Sequence, residues 1–530
     1  MDVSTEKTVY LPFTRKRRGN IKLTLQGEPI KRVTTHRFLG VHINRMMSWT
    51  NEVKRLNNKC NAYMNLMKYL GGYRWGNTQT LAALHNSLIR QSIHYSLPVI
   101  QNLSAKQEHT LEAIYARSAR IVLGVPKAVR SQLVLVEAKE PPLEAHRKRE
   151  TRRHLIRIIT RHTQHHLVKK IQDRKKSTLH RHLGVIHKFL PKCRKHTLTR
   201  EKAPWLLPTM AIRTEIPGIK RKADLPPVAL KQLALSYLEE AHPSAKKIFT
   251  DGSTTALGST SAVYGEDISK SYKLSHTTSS TAAELHGILK ALTHIKTCEI
   301  GSWIICSDSK AALQGLCLPD MTNLLHYKIH TDHSDVIERG HHVELQWVPA
   351  HCGIDGNELA DKLAKEALSH QKRSPIPFTK GDAVNLLNSK TKVYAKKLWL
   401  KTLRSEDYIK HIDPELKYSI PLNIKREYTT LIHRIRLGVL PTNSVLFKQG
   451  KADSPDCSTC MLPDTTHHVI TQCKKFSKER EQLDKELRKL SHTPLTFAKI
   501  MGNWNTSSDR KIALSVLCDF LKETQIVQKY

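Results

Sequence analysis

The spacing of apolar residues changes several times along the chain. After a short β-like run at His36 to Ile43, apolar positions return at intervals of three and four through Leu81, Leu84, Leu88 and Ile89, which predicts a mainly helical N-terminal part. Further on the rhythm shortens. Runs at Lys247 to Thr250, Ser261 to Tyr264 and Ser271 to Leu274 predict three strands, and the stripe Leu285, Ile288, Leu289, Leu292 and Ile295 predicts a helix from Thr281. The apolar run Trp303 to Cys306, a second helical stretch, a strand at Val343 to Val348 and a last helix from near Asp355 complete the pattern. Three strands, helix, strand, helix, strand, helix is an α/β order, and it predicts a mixed five-stranded sheet with flanking helices between mainly helical N- and C-terminal parts.

Prolines break the periodicity at Ala203 to Pro227 and again at Gln371 to Lys380. The expected division is a helical head at 1–145, a basic connector and linker at 146–243, the α/β domain at 244–370 and a helical, basic tail at 371–530. No internal repeat or low-complexity tract interrupts it.

Charge then narrows the class of partner. The 530 residues carry 86 Lys+Arg against 47 Asp+Glu, a formal charge of +39 before any contribution from 30 histidines, which suits a nucleic acid. The excess is uneven: Lys246 to His370 holds 11 basic and 15 acidic residues, a local −4, so the rest of the chain carries +43. Glu144 to Lys202 is the most basic stretch, and Arg147, Lys148, Arg149, Arg152, Arg153, Lys169 and Lys170 are its candidate phosphate contacts; the alternative is a solvated helical face. Apolar residues at 39% and charged residues at 25% allow packed cores rather than a disordered chain. No run nears the roughly 18 apolar residues of a membrane span, and the N-terminus lacks the apolar segment of a secretion signal. Ten irregularly spaced cysteines do not make a disulfide scaffold, so the expected compartment is the cytosol or nucleus.

Four acids stand where the predicted elements converge. Asp251 ends the first strand of the α/β region and Asp308 follows the apolar run at 303–306, where open α/β sheets present ligands. Glu284 lies at the edge of its helix's buried stripe, and Asp361 borders the packed face of a last helix whose start, Asp355-x-x-Glu358, has the spacing of a capping box. Clustered carboxylates repel and desolvate badly, so a site that gathers four needs cations. Hard oxygen ligands select magnesium or manganese.

TDGS at 250–253, TAAELHGILKAL at 281–292, CSDSKAAL at 306–313 and WVPAHCGIDGNELADKLAKEA at 347–367 follow one another in order. In these motifs the region resembles the type 1 ribonuclease H family. That resemblance implies a ribonuclease H-like fold and hydrolysis of the RNA strand of an RNA–DNA hybrid, leaving a 3′-hydroxyl and a 5′-phosphate. It implies two magnesium or manganese ions held by Asp251, Glu284, Asp308 and Asp361, with His351 assisting proton transfer. Residues 309–342 leave little room for the basic protrusion of some members, so the hybrid grip is expected from the basic flanks. A transposase or integrase on the same fold is disfavoured, because the last acid is Asp361 and the glutamate stands second.

The tail carries Cys457-x2-Cys460-x7-His468-x4-Cys473, three thiols and an imidazole at tetrahedral zinc spacing, with His467 a neighbouring competitor. This motif resembles the zinc-knuckle-like element of non-LTR (LINE-type) retrotransposon polyproteins, as do HRIRLGVLPTN at 433–443 and GKADSPDCSTC at 450–460. In the head, FLGVHINRMMSW at 38–49, YRWGNTQTLAALHNSLIRQSIHYSLPVI at 73–100, ARIVLGVPK at 119–127 and PPLEAHRKRE at 141–150 look like the thumb and post-thumb region following such a reverse transcriptase, so 1–145 is expected to be a thumb-like remnant. The paired aspartates of a polymerase palm are absent from the sequence, so DNA synthesis is not expected. The resemblance implies a retrotransposon-derived protein with hybrid ribonuclease activity; the alternative is a catalytically silent, nucleic-acid-binding relic.

Overall fold

The computed structural model describes residues 3–14, 21–72, 74–161, 165–189, 202–219, 222–255, 257–317, 323–418, 420–421, 423–491, 496–504 and 506–526. The chain divides into two compact units, one formed by residues 1–151 together with 390–530, the other by 152–389.

The central unit is built on a mixed sheet. Its elements are β1 (Ala211–Arg213), α1 (Pro227–Ala241), β2 (Lys246–Thr255), β3 (Gly258–Gly265), β4 (Ile268–Leu274), α2 (Ser280–Ile295), β5 (Ser302–Ser307), α3 (Lys310–Cys317), α4 (Leu324–Glu338), β6 (His342–Trp347), α5 (Asp355–Glu366) and β7 (Arg373–Ser374). The seven strands lie in the order β7-β4-β3-β2-β5-β6-β1. Strands β2, β3 and β4 pair antiparallel, whereas β2–β5, β5–β6, β6–β1 and β4–β7 pair parallel, with Ile248 opposite Ile305 and Ile305 opposite Leu345. The α/β class holds, and the five expected strands form the centre of the sheet.

Both faces of this sheet are covered. Trp303 and Ile305 of β5 pack with α2, α3 and α4 through Leu285, Ile288, Leu292, Leu313 and Ile329. Ile304 and Cys306 turn the other way, onto Leu230, Ala234 and Leu238 of α1 and Ala360 of α5. Successive residues of a strand point to opposite faces, so a strand buried on both sides reads as the unbroken apolar run seen at 303–306.

Three details depart from the sequence reading. The proline-punctuated stretch 203–227, expected to be a linker, supplies the edge strand β1 and buries Met210, Ile216 and Ile219, since its few apolar residues find the last exposed sheet edge and face. The segment 309–342, expected to hold one helix, holds α3 and α4. The basic stretch is helical at Leu143–Arg161, His166–Asp173 and Thr178–Phe189, and its central-unit part has a core of its own, where Leu155, Ile156, Ile159, Val168, Ile171, Leu183 and Ile186 meet Ala383 and Leu387. Residues 162–164 and 190–201 of that stretch lie outside the described residues.

Head and tail, expected as separate parts, fold as one unit. The helix Thr50–Leu70 packs with Ala105–Leu123 around Leu56, Met67, Leu81, Ile89, Ile93, Leu111 and Ile114. The tail helix Arg426–Arg436 then locks onto this head. Arg426 donates to the carbonyls of Gly72 at 3.0 Å, Ile121 at 2.6 Å and Val122. Arg436 donates to Glu137 Oε1 at 2.9 Å and Oε2 at 3.1 Å, and His433 Nδ1 lies 2.7 Å from the same carboxylate. Glu137 and Arg436 are both buried, and although burial pushes the Glu137 carboxyl up, Arg436 and His433 outweigh it and hold the group down at about 2. Such pairs join residues far apart in sequence, a link no local periodicity carries.

Candidate functional site

The acids converge at one place on the central sheet. Asp251 lies within β2, which continues to Thr255 rather than ending at the acid as expected, and Asp308 follows directly on the last residue of β5. Parallel pairing of these strands brings Ser307 beside Thr250 and so Asp308 beside Asp251. Glu284 sits in the first turns of α2 with its side chain buried, deeper than its expected position at the edge of the stripe. One carboxylate oxygen from each of Asp251, Glu284 and Asp308 lies within 4.8 Å of the others.

A glycine makes that approach possible. A Cβ on Gly252 would stand 2.3 Å from the backbone nitrogen of Glu284 and 2.5 Å from the carbonyl carbon of Ala283, so the strand can rest on the helix only where no side chain intervenes. Gly356 in α5 serves similarly, because a Cβ there would fall 2.3 Å from the Phe249 ring.

Electrostatics mark the cluster as incomplete by itself. Burial raises the Asp251 carboxyl to about 7, with the charges of Asp308 and Asp361 adding to the rise. Glu284 is raised well above the carboxylate range, first by burial and then by Asp251 and Asp308. Its Oε2 is buried without a hydrogen-bond partner. An orphaned carboxylate oxygen beside two further carboxylates has the chemistry of a hard-cation site.

Asp361 occupies the neighbouring position. It lies within the same 4.8 Å range of His351 and Glu358, and Lys365, one turn along α5, bonds its Oδ2 at 2.5 Å. His351 is exposed in the loop before α5 and adopts a positive φ of 50°. The expected capping box is not formed: Ile354 is the N-cap, and Glu358 instead accepts the backbone N–H of Gly353 at 3.3 Å.

Several neighbours were missed in the sequence. Asn357 is buried and directs Nδ2 toward Asp308 Oδ2 at 3.5 Å, while the Trp347 indole donates to the Asp308 carbonyl at 3.2 Å. Lys365 stands beside an acid whose charge it offsets. Its i, i+4 spacing from Asp361 was the available signal.

In the tail, Cys457, Cys460, His468 and Cys473 also meet, their ligand atoms within 4.8 Å of one another. The Cys457 and Cys460 sulfurs lie 3.8 and 3.9 Å from that of Cys473. His468 is buried with neither ring nitrogen in a hydrogen bond that meets ordinary geometry, although it lies close enough to Cys457 to help hold that thiol low against burial. His467 instead sits on the exposed side, near Thr471 and the Phe497 ring. Three sulfurs and one imidazole, converging without other partners for the ring, suit tetrahedral zinc.

The candidate phosphate contacts are less free than their sequence suggests. Arg147, Lys148 and Arg149 pair with Glu108, Glu144 and Glu150, each at 2.6 Å. Arg152 is half-buried, Arg153 is exposed, and Lys169 and Lys170 are exposed on the helix His166–Asp173.

Residues 243–369 match the RNase H family profile. The chain is also similar to Ribonuclease H1 of Rattus norvegicus, with 29% identity over 177 residues that cover 28% of this chain and 59% of that protein. The chain thus spans about three fifths of the length of the curated relative it matches. The centre of the sheet, the three converging carboxylates and the family match coincide on the same residues, and the segment 243–369 is a ribonuclease H domain.

Proposed function

We propose that this protein cleaves the RNA strand of RNA–DNA hybrids by metal-dependent hydrolysis. The observation that carries the reading is the convergence of Asp251, Glu284 and Asp308, with a buried, unpartnered Glu284 oxygen, inside a ribonuclease H domain. These three residues and Asp361 would hold magnesium or manganese. Bound there, the cations would neutralise the attacking and leaving oxygens of the displacement.

The chain's own residues set up that chemistry. The sheet fixes Asp251 and Asp308 on adjacent strands, and the close packing at Gly252 fixes Glu284 against them, so little reorganisation remains for the reaction. Asn357 and Trp347 restrain Asp308. Lys365 holds Asp361 and must release it before that carboxylate can serve a cation. His351, exposed within reach of Asp361, is suited to carry a proton between the site and solvent. Selection of RNA fits recognition through 2′-hydroxyls.

Zinc at Cys457, Cys460, His468 and Cys473 would hold the tail's loop and short helix together. The head and tail resemblances support descent from a non-LTR retrotransposon polyprotein, with RNA or DNA also held by basic flanks. Nine free cysteines among the described residues accord with the cytosol or nucleus.

The test is a labelled RNA–DNA hybrid incubated with purified protein, with and without magnesium, beside Asp308→Asn. Magnesium-dependent loss of the RNA strand that Asp308→Asn abolishes, with duplex DNA spared, is the expected result. A folded protein that binds the hybrid and never cuts it would overturn this function in favour of a silent binding protein.

A further inference from the structure

The unit formed by head and tail contains a cavity of about 910 Å³ whose lining is unusual in its charge. Lys68, Arg117, Arg120, Lys127, Arg426 and Arg434 all line it, and among its described lining residues there is neither Asp nor Glu. Like charges gathered round one concavity repel each other, and they do so more strongly than on an open surface because the walls exclude water. Burial, and after it the charge of Arg434, lowers Arg426 to about 10, and Arg120 is lowered by burial and then by Arg117.

The six cations differ in how they are held. Arg426 and Arg434 are fixed on backbone carbonyls at the end of the helix Ala105–Leu123, Arg434 through Gly124 at 3.1 Å. Arg120 donates to Val129 O at 2.8 Å and Ser131 Oγ at 3.1 Å, while its Nε is buried without a partner. Arg117 is braced by Asn57 and Asn61 at 2.8 and 3.0 Å. Lys68 and Lys127 are exposed and have no partner among the described residues. The cavity therefore has a fixed cationic floor and two exposed cationic arms.

We propose that this cavity binds the phosphodiester backbone of a nucleic acid, taking consecutive phosphates of one strand. Six positive charges exceed what one small anion neutralises, and they come from three separate stretches of chain, so the ligand must extend across the cavity. The site lies outside the ribonuclease H domain and does not rest on the hydrolytic reading. It also differs from the sequence expectation, because Arg147, Lys148 and Arg149 already face carboxylates.

The test uses the full chain and a labelled single-stranded DNA, which hybrid hydrolysis would not consume, titrated by fluorescence anisotropy at several salt concentrations. Each lost phosphate contact on a single strand flattens the log–log salt slope by about 0.7 and weakens binding about fivefold at about 0.1 M salt. Lys68→Ala/Lys127→Ala should thus bind about 25-fold more weakly, with a slope shallower by about 1.4. Both lysines are exposed, and a circular dichroism melt checks that the variant folds. Unchanged affinity and slope in that folded variant would overturn the proposal. So would pyrophosphate that displaces the strand as well, per phosphate, as unlabelled DNA does, since the site would then take free anions.

Discussion

Alanine at Gly252 isolates the contact on which the acidic cluster depends. The added Cβ would meet the Glu284 nitrogen at 2.3 Å, the Ala283 carbonyl carbon at 2.5 Å and the Glu284 Cα at 2.8 Å. All three are backbone atoms, so no rotamer change relieves the clash. Ordinary contact begins near 3.4 Å, so β2 and α2 must part by about 1 Å. Overpacking of this kind costs about 1–3 kcal/mol, which lowers the melting temperature of a unit this size by several degrees, about 2–4 °C per kcal/mol. The same displacement carries the Glu284 carboxylate away from Asp251 and Asp308, and about 1 Å of misplacement is enough to lose about 100-fold in rate. Thermal melting and hybrid hydrolysis read the two effects separately. Gly184→Ala is the control: nothing lies within 4 Å of its Cβ and it sits inside a helix, so it should stabilise by about 1 kcal/mol. A Gly252→Ala protein with wild-type melting and wild-type rate would refute the claim that space at this glycine sets the cluster.

Three further outcomes are expected. His286 is buried between Ser261 Oγ at 2.7 Å and Ser374 Oγ at 3.1 Å, and burial lowers it to about 3. The unfolded chain protonates this residue near its ordinary value while the fold keeps it neutral. Its stabilising effect is therefore complete above about pH 6.5 and falls by about 2 kcal/mol by about pH 5; melts of His286→Gln that keep the wild-type pH dependence would count against it. Glu137→Gln leaves the buried Arg436 short of its counter-charge and should cost about 3–5 kcal/mol in denaturant unfolding, partly recovered by adding Arg436→Met; a loss under about 1 kcal/mol would be inconsistent with an intact buried pair. Elemental analysis should find about one zinc per chain, lost in Cys460→Ser, and metal content unaffected by that change would remove zinc from the tail.

The parts legible in the sequence were those written in local spacing. The run at 303–306 and the stripe from Leu285 to Ile295 announce a doubly covered strand and its helix, because burial on a strand or helix imposes a short period. The acids were legible as residue types in motifs where the predicted elements converge, and the Cys457 to Cys473 motif as ligand spacing. Long-range pairing was not. Nothing near Ala211–Arg213 signals that it will join the far edge of the sheet beside β6, and nothing near Glu137 points to Arg436. Within the basic stretch, the pairing of Arg147, Lys148 and Arg149 was not legible either, because net charge cannot tell a free cation from one facing Glu108, Glu144 or Glu150.

The pairing of head with tail bears on the order in which the protein can be made. Glu137 and Arg436 are 299 positions apart, and at about 5–20 residues per second a ribosome takes about 15–60 s to go from one to the other. The unit at 152–389 is contiguous and can finish folding in that interval. The head must wait, with a carboxylate destined for burial still unmatched and its tail-facing apolar surface, at Val134 and Val136, still wet. Whatever slows synthesis between these segments lengthens the time for which the head is open to chaperones and proteases, so codon usage across the inserted unit becomes a determinant of yield for residues that it does not encode.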